Sequence, residues 1–176
     1  VEGADDPHVG ICLDPANPIA RGEDPRAAVE RVAPYVVSTQ LRDIRVFPSP
    51  DGDGLTRFLR PCGDGQLDWS ETLGILLAAN PALNLTIEGV GGWSGRSEVP
   101  VSDAFWQSLH PELSDAELAA LQELGAESAR AAADGREPSF AELDVLQPDQ
   151  RAAHDAFVTR SAAHLRSVLA ELAASV

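Results

Sequence analysis

The sequence predicts an α/β fold, with parallel strands in its first half and helices gathered in its second. Three observations carry that expectation. Short apolar runs alternate with amphipathic helical text before about residue 95. Each run closes on polar residues. From about residue 113 the text turns to Ala, Glu, Leu and Arg at helical spacing. Strand, helix, strand, helix, strand, joined by right-handed crossovers, gives parallel pairing. The C-terminal ends of such strands are where α/β proteins place ligands.

His8 to Leu13 is apolar and partly β-branched, and it stops at Asp14-Pro15, as a buried strand entering a polar loop does. Asp24 can cap the next helix and Pro25 suits its first turn; Ala28, Val29, Val32 and Ala33 give it an apolar stripe that ends before Pro34. Tyr35 to Leu41 reads as the second strand, with Gln40, Arg42 and Asp43 at its end, and Pro48 to Gly65 as a loop rich in Gly, Pro and Asp. Asp68-Trp69-Ser70-Glu71 has capping-box spacing and opens a helix through Leu73, Leu76 and Leu77, which Asn80-Pro81 ends. Leu83 to Ile87 is the third strand, closing on Glu88-Gly89. Ser114 and Glu117 frame a second capping box, before a helix with Leu118, Leu121 and Leu124 that breaks near Asp134-Gly135. A last helix is expected over about 148–174.

All 13 basic residues are Arg and face 28 acidic ones, for a net charge of −15. Such a surface repels phosphate backbones and anionic headgroups, so neither nucleic acid nor membrane is an expected partner. The apolar runs are too short to span a bilayer and the first residues lack a basic start and an apolar core, so no signal peptide is expected and the location is read as cytoplasmic. Cys12 and Cys62 are too few for a disulfide scaffold or a thiolate zinc site and read as two buried thiols. The sequence contains no Met, as expected of a processed product or a piece of a longer chain.

The ends of the three strands together resemble the xylose-isomerase-like barrels, which include sugar isomerases, sugar 3-epimerases, endonuclease IV and certain 3-dehydroshikimate dehydratases. The motifs are Asp14-Pro15-Ala16-Asn17 after the first strand, Gln40-Leu41-Arg42-Asp43 after the second, Gly63-Asp64-Gly65-Gln66-Leu67-Asp68-Trp69 in the loop that follows, and Thr86-Ile87-Glu88-Gly89 at the third. The resemblance covers roughly residues 8 to 90 and implies the last three βα units of a (β/α)8 TIM barrel. A full barrel takes about 250 residues, so the N-terminal half would come from the same longer chain or from another subunit. On this reading residues 1–96 are barrel units, 97–147 an appended helical segment that serves as lid, interface or passive rim helix, and 148–176 the closing helix.

The resemblance implies a metal site of Asp14, Gln40 and Glu88. Gln40 stands where the family usually has His, and an all-oxygen shell favours Mg or Mn over Zn. The implied activity is that of a divalent-metal-dependent isomerase or epimerase acting on a small polyhydroxy carbonyl compound through an enediolate, with Glu88 moving the proton on carbon. A lyase like the 3-dehydroshikimate dehydratases would use the same ligands, and a non-catalytic barrel subunit is the alternative from another class. Asn17, Arg42, Arg57 and Arg60 are the expected substrate contacts, with Asp43 behind them as an orienter. Ordinary roles stand beside these: Asp14 as a turn residue, Arg42 with Asp43 as a surface ion pair, Asp64 in a turn, Asp68 as a helix cap. His8, His110, His154 and His164 read as surface or packing residues, while Trp93, Phe105 and Trp106 either wall a sugar site or pack in a core.

Overall fold

The structure is a computed structural model that describes residue 6 and residues 8–52, 54–89 and 95–174. Trp93, expected near the site, lies outside these residues, as do Val1 to Asp5.

The parallel part forms as the apolar runs dictate. Strand β1 (Ile11–Leu13) pairs in parallel with β2 (Val36–Thr39), setting Cys12 opposite Ser38 and Leu13 opposite Thr39. Beyond β2, Leu41 bridges Ile87 in parallel, its N–H donating to Thr86 O at 2.7 Å while Glu88 N–H donates to Leu41 O at 3.1 Å. Thr39 Oγ1 accepts from Thr86 N at 2.8 Å. Three chain segments therefore run side by side and parallel, in sequence order.

Helices cover one face of this sheet. Between β1 and β2 come α1 (Asn17–Ala20), α2 (Pro25–Val32) and a 3₁₀ turn (Ala33–Tyr35). Asp24 Oδ1 caps α2 by accepting from Ala27 N at 2.7 Å. After the antiparallel hairpin described next, α3 (Trp69–Ala79) starts at Asp68, which accepts from Glu71 N at 2.9 Å. Val29 and Leu76 from these helices close over Leu13, Val36 and Leu83. The long C-terminal helix α7 (Gln150–Ala174) adds Leu165 and Val168 over Leu41, Trp69 and Leu73. The alternate residues Cys12 and Val37 point to the other face and are exposed, Val37 at 66%. Among the described residues no closed barrel forms; the architecture is a mixed α/β one with small sheets.

The stretch from Pro48 to Gly65, expected to be a loop, instead holds a hairpin. β3 (Asp43–Pro48) and β4 (Leu55–Arg60) pair antiparallel from Asp43 opposite Arg60 to Pro48 opposite Leu55. β5 (Ser97–Val99) joins the other side of β4. The segment 97–147, expected to be an appended helical segment, thus begins with a short strand. Then follow α4 (Ala104–Ser108), α5 (Asp115–Ala133) and α6 (Phe140–Leu143). The Ser114–Glu117 capping box forms in full at the start of α5. The hairpin is two-sided: Ile44, Val46, Leu55 and Leu59 pack on Ala16, Ile19 and Leu121, while Phe47 and Phe58 meet Phe140 edge to face. β3 and β5 are the two edge strands, and α5 crosses β3, with Gly125 where a Cβ would press on Leu55 and the backbone of Phe47 and Pro48.

The two cysteines differ, correcting the expectation that both are buried. Cys12 is exposed, whereas Cys62 is buried and its N–H donates to Ser161 Oγ of α7 at 3.0 Å. Burial pushes the Cys62 thiol up to about 12. Iodoacetamide at pH 8 is expected to label Cys12 alone, with Cys62 modified only in denaturant; peptide mass mapping with and without urea checks this.

Candidate functional site

Asp14 follows β1 directly and is buried, and the Asp-Pro turn orients it: Oδ1 accepts from Ala16 N at 2.9 Å. Its other oxygen meets Arg42, which stands just past Leu41 on the neighbouring strand. Arg42 Nε donates to Asp14 Oδ2 at 2.8 Å and Nη2 lies 2.5 Å from the same oxygen. On its far side Arg42 Nη1 is 3.2 Å from Glu88 Oε2, at the end of the third parallel segment. The strand ends thus bring both carboxylates, Asp14 and Glu88, to one cation. Arg42 is the bridge of the cluster, a closer role than the substrate contact or surface pair expected of it.

Arg57 completes the group from β4. Nη1 donates to Asn17 Oδ1 at 3.3 Å and to Ala16 O at 3.4 Å, and Nε to Ser97 Oγ at 3.0 Å. Every acceptor it has in these bonds is neutral. Burial, and after it the like charge of Arg42, push the Arg57 guanidinium below its usual range, with Asp14 pulling the other way. Gln40 is exposed at the end of β2, its backbone N–H donating to Leu13 O at 2.8 Å.

Arg60 does not join. Three residues separate it from Arg57 on a strand, so the two side chains leave opposite faces of the hairpin. Arg60 lies 4.0 Å from Asp64, on the side that Arg160 of α7 also reaches to pair with that carboxylate.

Asp43 is not half of a surface ion pair. It is fully buried and ties the Gly63–Trp69 loop together. Oδ1 accepts from the backbone N–H groups of Ile44 (2.8 Å), Gln66 (3.0 Å) and Leu67 (3.1 Å). Oδ2 accepts from Gly63 N at 3.0 Å and from the Trp69 indole at 2.7 Å. Burial pushes its carboxyl up, and the indole and backbone donors pull it back. Gly65 is required here, because a Cβ would run into Asp43 Oδ1 and the Ile44 carbonyl.

The histidines act in packing. His110 stacks on Trp106 with ring centroids 4.1 Å apart. His154 and His164 of α7 lie against Gly89 and Gly63, where any Cβ would meet their rings. His154 therefore stands beside the residue that follows Glu88, a proximity that ten-residue spacing on one helix could not reveal. Phe105 is 72% exposed and Trp106 packs on the hairpin core.

Asp14 and Glu88 both offer carboxylate oxygens, each paired with Arg42, and Gln40 stands exposed at the end of the strand between them. Among the described residues no group of three or more His, Cys, Asp or Glu side chains gathers, and no helix is long and apolar enough to cross a membrane. No known family model matches the chain, and neither a curated protein nor a solved structure matches it.

Proposed function

We propose that the strand-end cluster is the active site of a divalent-metal-dependent isomerase or epimerase-like enzyme, moving a proton next to the carbonyl of a small polyhydroxy compound. The observation that carries this reading is the meeting of Asp14 and Glu88, from the ends of the two outer parallel segments, on Arg42 from the segment between them. Asp14, Glu88 and Gln40 would hold the ion, Mn or Mg before Zn. When bound, it would polarise the carbonyl and its neighbouring hydroxyl.

The protein's own groups divide the remaining work. Glu88, with a side chain 36% exposed, is the carboxylate a substrate carbon can reach, and it takes and returns the proton. Asp14, locked by Ala16 and Arg42, holds its place through the reaction. Arg42 fixes Glu88 and offers positive charge to a developing enediolate oxygen. Asn17 and Arg57 position substrate hydroxyls.

A second reading draws support from Arg57. A half-buried guanidinium with only neutral acceptors suits a substrate carboxylate, and this favours a dehydratase acting on a carboxylated ring. The uncovered sheet face, with exposed Cys12 and Val37, suits further strands from the same longer chain or from a partner subunit.

Titration of the chain with Mn²⁺, followed by electron paramagnetic resonance, tests the site. One saturable site is expected, weakened at least about tenfold in Asp14→Asn and in Glu88→Gln. Binding that is absent, or that neither variant weakens, would overturn the reading.

A further inference from the structure

A cleft of about 400 Å³ opens between β3, the loop at Gly65 and the C-terminal end of α5, away from the strand-end cluster. Arg45, Arg130 and Arg136 line it, together with Ser128, Glu127 and Glu137. In a chain of net charge −15, a wall with more guanidiniums than carboxylates is a local reversal of sign.

Two of its residues are unusual in a second way. Arg45 is 4% exposed and Ser128 is 1% exposed, yet Arg45 Nε and Ser128 Oγ have no hydrogen-bond partner among the described residues. Buried polar atoms are nearly always paired. The other edge of Arg45 is well served, with Nη2 3.0 Å from Gly65 O, 3.3 Å from Asp64 O and 3.1 Å from Glu137 Oε2. No acceptor oxygen among the described residues reaches Arg45 Nε, and Ser128 Oγ stands unpaired in the same lining.

We propose that this cleft binds a small oxyanion, the carboxylate or phosphate group of a small acid. Guanidinium groups grip such groups through paired N–H donors, and the Ser128 hydroxyl can add an O–H donor. Arg130 and Arg136 are free to turn inward. Their present partners, Glu123 at 2.6 Å and Asp134 at 2.9 Å, are solvent-exposed, with side chains 60% and 61% accessible, and such pairs hold weakly. Glu137, 38% accessible, is the carboxylate an entering oxyanion would displace from Arg45. The ligand thus replaces the Glu137 carboxylate on Arg45.

Amide chemical shifts of the full chain are followed while inorganic phosphate, and separately acetate, is added at constant ionic strength against sodium chloride. Saturable shifts at Ser128 and Glu137 with either oxyanion are expected, the stronger of the two telling a tetrahedral site from a planar one. The Arg130→Gln, Arg136→Gln double variant touches only exposed side chains, so its fold is expected to survive, and it should bind at least about tenfold more weakly. Shifts that chloride reproduces, or affinity unchanged in the double variant, would overturn the proposal.

Discussion

Replacing Asp43 with Ala is expected to abolish the cooperative unfolding transition of this chain. The carboxylate accepts from four backbone N–H groups and one indole, all converging on a side chain with no accessible surface. Each buried donor left without a partner costs about 1–3 kcal/mol. Even if water re-satisfies half of them, the loss is about 2.5–7.5 kcal/mol, which reaches the whole stability of a marginal domain. Asp43→Asn keeps the shape and one acceptor oxygen but turns an NH₂ toward donors, and a loss of about 2–3 kcal/mol is expected. Urea denaturation followed by circular dichroism and by Trp69 fluorescence checks both. A melt for Asp43→Ala within about 1 kcal/mol of the parent would show that the loop holds its shape without the carboxylate.

The second large effect is expected at Arg42. Its guanidinium is 14% accessible and the Asp14 side chain 4%, so Arg42→Met leaves a carboxylate inside the protein with only the Ala16 N–H for company. Breaking a buried pair from one side costs about 3–5 kcal/mol. The companion Asp14→Asn should restore much of that in the double variant, because the stranded charge is gone. Glu88→Gln is expected to cost under about 1 kcal/mol, since that end of the bridge is open to solvent. Denaturant midpoints of the four variants, read as a double-mutant cycle, test the arrangement. Equal losses for Arg42→Met alone and in combination with Asp14→Asn would mean that the two side chains do not act as a pair.

What was legible in the sequence is what local chemistry dictates. Asp24, Asp68 and Ser114 announce their helices because a cap needs only a side-chain oxygen and the next three residues, and each caps as expected. The runs at 11–13 and 36–39 pair in parallel, and Ile87 reaches the sheet through a bridge at Leu41. The hairpin was missed because Asp51-Gly52, between runs of alternating apolar residues, was read as part of a long loop and not as the turn it marks. That omission carried into the site. With β4 unrecognised, Arg57 and Arg60 looked equivalent, although strand alternation sends them to opposite faces. Asp43 was beyond local reading altogether: its loop and indole partners lie 20 to 26 residues away, and only the closed loop brings them to one carboxylate.

The hairpin also decides where a ligand can enter. A connection after a parallel strand is ordinarily a short loop, free to swing over a site as a lid. Here that connection is a sheet. It is clamped at its base by Asp43 and packed through Ile44, Val46, Leu55 and Leu59 against Ala16 and Ile19 of the turn and helix that follow Asp14. A wall with its own apolar core opens only by breaking that core, which places its motion on the slow timescale of sub-global unfolding, far from that of loop fluctuation. On the proposed function, traffic to and from Asp14 and Glu88 would pass on the side of Gln40, and the Arg57 wall would serve as a fixed reference surface with any gating on the opposite rim.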